Sequence, residues 1–154
     1  MIRVLKVFSV LVVIIGILFI WYDQSRLFFK ATNGEYITMW KRWGGRCYLI
    51  PGKYYRVTKP TDNYIETENN MSGDFIWNNR NSKYVLFSGG KNYEIINKDS
   101  TKIKIIDYLD DEKKNDSLYT EEKGDYYIYK KGLIRLSIDI LQSYATDERG
   151  ETQR

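Results

Sequence analysis

The stretch KYVLFSGGKNYEIIN, residues 83–97, decides the fold class of this chain. Two runs rich in tyrosine and β-branched or aliphatic residues flank Gly89-Gly90, and a glycine pair between such runs reads as a β-hairpin. Moving toward the C-terminus, residues 101–107 (TKIKIID) alternate, with Ile103 and Ile105 on one face and Lys102 and Lys104 on the other. Residues 125–129 (DYYIY) then turn through Lys131-Gly132 into residues 134–140 as a last hairpin. There Ile134, Leu136, Ile138 and Ile140 alternate with Arg135, Ser137 and Asp139. A helical reading would place Leu133, Leu136, Ile140 and Tyr144 on one face, but strict alternation fits more of the positions.

Toward the N-terminus the same grammar repeats. Residues 35–41 (EYITMWK) and 46–50 (RCYLI) flank Gly44-Gly45, a second hairpin signal, and Pro51-Gly52 suits a tight turn. Residues 53–58, 63–67 and 74–77 read as further short strands. About nine short strands joined mostly by hairpins predict an all-β domain, an antiparallel meander closed as a small barrel or folded as a sandwich. Its expected limits are residues 31–145, followed by a charged flexible tail over 146–154.

Ahead of this domain lies a different texture. Residues 7–22, VFSVLVVIIGILFIWY, carry no charge, and a short basic tail over 1–6 with Arg3 and Lys6 precedes them. With Lys6 snorkelling and Trp21 and Tyr22 at the far interface, this is the pattern of a transmembrane signal anchor. A cleaved signal peptide is the alternative, but the exit WYDQSRLFF lacks the small-residue pair that signal peptidase needs. Residues 23–30 read as a juxtamembrane connector. A short basic tail that stays in the cytoplasm places the β domain on the extracytoplasmic side.

Composition removes several chemistries. The 154 residues contain no His, which excludes Ser–His and Cys–His nucleophile activation and removes the commonest metal ligand. A single cysteine, Cys47, allows neither an intrachain disulfide nor a cysteine zinc site, and reads as a buried filler on a strand. The net charge of +4 is spread over 24 basic and 20 acidic residues without a basic face, so nucleic acid is not an expected partner. The acidic run Asp107, Asp110, Asp111, Glu112 and Asp116 lacks the spacing and glycine of a calcium loop and is interrupted by Lys113 and Lys114. Glu35, Glu66, Glu68 and Glu94 lie on or beside expected strands, yet nothing in their spacing makes two of them converge for glycoside hydrolysis. No cofactor or metal is expected.

The aromatic residues carry the remaining signal. Trp40 and Trp43 differ in parity, so a regular strand sends them to opposite faces, one to the core and the other to the surface beside Gly44-Gly45. An exposed Trp43 among Lys41, Arg42 and Arg46 suits an anionic partner, a glycan or a headgroup layer, and Trp77 beside Asn78, Asn79 and Arg80 reads as a similar loop edge. Core packing of these large rings is the plainer alternative. The candidate binding residues are therefore Trp43, Arg42, Arg46, Trp77 and Arg80. The expected function is that of a single-pass membrane-anchored protein, not an enzyme, presenting its β domain to a protein partner in the manner of an inhibitor, immunity or envelope-accessory protein. Membrane lipid is contacted through the N-terminal helix. The alternative is a structural subunit of a membrane complex, packed through that helix.

Overall fold

The computed structural model describes residues 2–23, 25–68, 70–77, 84–90, 92–99, 104–107, 119–123, 126–129 and 132–154. One helix, α1 (Ile2–Asp23), precedes the strands. A five-stranded antiparallel sheet contains, in spatial order, β1 (Leu27–Lys30), β2 (Tyr36–Lys41), β3 (Arg46–Pro51), β4 (Tyr64–Glu68) and β7 (Tyr93–Ile96). A six-stranded sheet runs β13 (Thr152–Gln153), β12 (Tyr144–Asp147), β11 (Ile134–Asp139), β5 (Ser72–Trp77), β6 (Tyr84–Gly89) and β8 (Lys104–Asp107), with β6 and β8 parallel and the other pairs antiparallel. A separate ribbon pairs β9 (Tyr119–Lys123) with β10 (Tyr126–Tyr129).

The two sheets face each other across one core, because alternate residues of each point inward. Phe29, Ile37, Met39, Leu49 and Ile65 come from the first sheet, and Phe75, Trp77, Val85, Phe87, Leu136 and Ile138 from the second. Both seams between the sheets are held by a side-chain amide that takes the place of a ladder pair. At one seam Asn97 donates from Nδ2 to the Ile105 carbonyl (2.6 Å) and accepts the Ile105 N–H at Oδ1 (3.1 Å). Beside it the Tyr93 hydroxyl donates to Asp107 (2.8 Å). At the other seam Gln153 accepts the Lys30 N–H and donates to the Lys30 carbonyl, both at 2.7 Å. These contacts satisfy backbone groups that an open sheet edge would leave bare.

The first sheet is buried on its outer face as well. Trp40, Tyr48, Ile50 and Tyr64 form a second cluster there, with Tyr54 packed against it. The segment 52–63 covers this face, pinned where the Thr38 hydroxyl donates to the Gly52 carbonyl (2.6 Å) and accepts the Tyr54 N–H (2.9 Å). That cover explains why β2 and β3 are each buried at four consecutive positions where a one-sided strand alternates.

Several expectations are corrected. Residues 83–97 do not form a hairpin: β6 and β7 belong to different sheets, so the chain crosses the core between them. Gly89 is a strand residue in register with Gly73, and the Phe87 ring lies across both. A Cβ at Gly73 would approach that ring to 2.5 Å, and one at Gly89 to 2.6 Å. The glycines make room for an aromatic ring, which a turn signal cannot be distinguished from by composition. The expected last hairpin fails too, since β10 pairs with β9 while β11 lies between β12 and β5. The meander holds over β1–β4 and over β11–β13, and crossovers interrupt it between them. Residues 53–58 form no strand despite their β-prone composition, and the connector expected over 23–30 contains the edge strand β1.

The tail is also ordered into β12, a turn and β13. Asp147 is buried and builds that turn, accepting the Arg149 and Glu151 N–H groups (2.9 and 3.0 Å) and the Arg149 guanidinium (2.8 Å). Burial alone would raise the Asp147 carboxyl, but the bonds from Arg149 and the two backbone N–H groups outweigh it and hold the carboxyl below its ordinary range. The strand reading of residues 134–140, by contrast, agrees with β11. The acidic stretch 110–116, Ile103 and Arg80 lie outside the described residues.

Helix α1 contributes to none of the core clusters among the described residues. Its described side chains, residues 6–21, are exposed throughout. Among the described residues no helix is long and apolar enough to cross a membrane.

Candidate functional site

The β2–β3 hairpin builds the site. Arg42 N–H donates to the Arg46 carbonyl (2.7 Å), leaving Trp43, Gly44 and Gly45 as the loop. Gly44 and Gly45 have φ of 86° and 82°, a left-handed backbone that glycine adopts without a Cβ penalty. This tight reversal projects the Trp43 indole outward at 66% exposure, while Trp40, three residues earlier, is fully buried in the outer cluster of the same sheet. Trp43 packs against Phe19 of α1, with ring centroids 4.9 Å apart and the ring planes tilted.

Two guanidinium groups lie on the Trp40 ring, Arg26 at 4.0 Å and Arg42 at 4.7 Å from its centroid. Such contacts hold cations against the negative ring face. Arg26 also donates to the Arg56 carbonyl (2.7 Å), which ties segment 52–63 to the exit of the helix. Phe28, two residues on, packs against Tyr55 with ring centroids 5.1 Å apart.

Behind the hairpin opens a groove of about 710 Å³ whose lining includes Gly45, Arg46, Glu66, Glu68, Tyr93 and Leu141. Glu66 pairs with Arg46 (3.3 Å) and with Lys59 (2.6 Å). The bond to Glu66 is the chief reason the Lys59 ammonium is held above its ordinary range. Glu94 stands directly across the β4–β7 ladder from Glu66, and Glu68 across β3–β4 from Arg46. Carboxylates, one arginine, amides and one tyrosine thus share the groove.

The structure brings Trp43, Arg42 and Arg46 together on one hairpin. It does not bring Trp77 to them. That indole is 2% exposed on the inner face of β5, with its ring 6.3 Å from that of Phe75, so Trp77 is core where a loop edge was expected. Cys47 is buried, and burial pushes its thiol up to about 12, which keeps it neutral and unreactive. Among the described residues no three potential ligands gather to hold a metal ion.

Sequence reasoning missed Arg26 and Leu141 as neighbours of the hairpin, and Tyr55 as the partner of Phe28. Only the paired aromatics of Tyr54-Tyr55 were a visible signal, and they read as a strand because tyrosine and valine are β-prone. The chain matches no protein-family model, no curated protein sequence and no solved structure.

Proposed function

We propose that this protein is a single-pass membrane protein whose helix holds a β binding module at the extracytoplasmic face. The supporting observation is the helix itself. A helix that is apolar all round belongs in a protein core or in lipid, and the described side chains of α1 are exposed on every face. The described side chains, residues 6–21, reach roughly 24 Å, short of the ~30 Å hydrocarbon layer. The whole of α1 is 22 residues, or roughly 33 Å, and matches that layer when the Lys6 ammonium snorkels back to the headgroups.

The β module's offering to a protein partner is the groove behind the Gly44-Gly45 hairpin. The charged side chains that line it, Arg46, Glu66 and Glu68, favour recognition through electrostatic complementarity over a purely apolar contact. This is a reading as a binding module of the inhibitor or accessory type.

The test replaces residues 7–22 with an unrelated apolar helix of equal length and captures partners from mild detergent. Carbonate-resistant membrane attachment with the same partner retained is the expected result. Loss of the partner on helix exchange would support the alternative, a subunit that assembles through its helix. Release of the unaltered chain by carbonate would overturn the anchor.

A further inference from the structure

Among the described residues beyond α1, four large apolar side chains are strongly exposed: Trp43 (66%), Tyr55 (68%), Val57 (69%) and Leu141 (67%). They come from three separate segments of the chain, yet each is tied to the same end of the molecule. Trp43 touches Phe19 of the helix. Tyr55 touches Phe28, just beyond the helix exit. Val57 follows Arg56, whose carbonyl accepts the Arg26 guanidinium. Leu141 offers its carbonyl to the ammonium of Lys41 (3.3 Å), which also donates to Ser143 (2.7 Å), and Lys41 immediately precedes Arg42 and Trp43.

Scattered single apolar residues on a surface carry no meaning, but four gathered round one helix exit do. Cations share this end: Arg26 and Arg42 on the two contacts with Trp40, Arg56 beside Val57, and Lys41 beside Leu141. Amphipathic rings and basic side chains together are the composition that settles at a membrane–water interface carrying anionic lipid.

We infer that the helix-exit end of the β domain rests on the bilayer, with Trp43, Tyr55, Val57 and Leu141 seated among the headgroups and Arg42 and Arg56 facing anionic phospholipid. This rests on α1 spanning that bilayer. The Trp43–Phe19 contact makes the docking surface continuous with the anchor. A domain held in this way is fixed in orientation, and its opposite end, with the turn at residues 148–151, points away from the membrane. The groove behind Gly44-Gly45, which Leu141 also lines, then opens at the membrane surface, where a membrane-bound partner would meet it.

The experiment uses the full chain in phosphatidylcholine vesicles, with and without phosphatidylglycerol. A fluorophore is attached at Val57→Cys, Leu141→Cys or Glu148→Cys in turn; buried Cys47 stays unlabelled. Brominated lipid should strip the signal at positions 57 and 141 and leave it intact at 148. Phosphatidylglycerol should deepen the quenching, and the double variant Arg42→Gln/Arg56→Gln should lose that gain. Equal quenching at all three positions, in a chain that still resists carbonate extraction, would overturn the docking while leaving the anchor standing. Extraction by carbonate would instead remove the anchor reading on which it rests.

Discussion

Two glycine pairs, Gly44-Gly45 and Gly89-Gly90, look alike in sequence and do opposite things. The first closes a hairpin: both residues have positive φ and no atom stands within 4 Å of where a Cβ would project. The second does not turn a hairpin. Gly89 ends a strand and is needed because the Phe87 ring, packed between Phe75 and Tyr93 at 5.1 Å from each, occupies the space of its side chain. One pair answers a backbone demand and the other a packing demand. The hairpin pair presents the site, and Gly89 of the second pair makes room for the Phe87 ring.

Substitutions separate the two roles, with stability read by urea unfolding of the full chain in mild detergent. Phe87→Ala should cost the most, about 3–5 kcal/mol, because it empties the junction of both sheets. Gly89→Ala or Gly73→Ala should cost about 1–3 kcal/mol by forcing the ring aside. That cost should largely vanish when Phe87 is already alanine, and a cycle showing simple additivity would break the packing explanation.

Asn97→Ala probes the far side of the same crossing. It leaves the buried Ile105 backbone short of two partners and should cost about 1–3 kcal/mol. An Asn97→Ala variant as stable as the parent would mean that water closes this seam equally well.

Gly44→Ala meets no steric neighbour but a left-handed backbone, so about 1–2 kcal/mol is expected. Trp43 should keep its exposed fluorescence. Gly90→Ala should be the mildest change, within about 0.5 kcal/mol, since the nearest atom to its Cβ is Met71 at 3.8 Å. A large effect there would restore a turn role to the second pair.

A further contrast appears on acidification. The Asp147 carboxyl sits below its ordinary range, so its contribution is present at neutral pH and is lost as pH falls through that lowered value. Asp147→Asn should flatten the low-pH loss of stability, measured as the urea midpoint against pH.

Much of the strand content was legible because alternation is local: the inward set of β11 is visible in residues 134–140, and one buried and one exposed indole are found as expected, though Trp43 is exposed because it lies in the loop beyond β2. Parity could not tell which buried environment Trp40 enters. It lies on the outer face of its sheet, under segment 52–63, whose two tyrosines and valine look like a strand until the sheet beneath them is seen. Trp77 misled for a related reason. The polar residues after it suggested a loop edge, but its own position on β5 faces the core.

By itself the sequence determined the β class, the apolar helix ahead of it, the turning role of Gly44-Gly45 and the absence of histidine and cysteine-pair chemistry. These follow from residue identity and from periods of two or from unbroken apolarity, which are properties of a chain segment alone. The tertiary structure decided which strands are neighbours, why Gly89 must be glycine, how two side-chain amides close the seams, and that Trp43 of the hairpin meets Phe19 of the helix. Each of those depends on a contact between segments far apart in the chain, and no local period records such a contact.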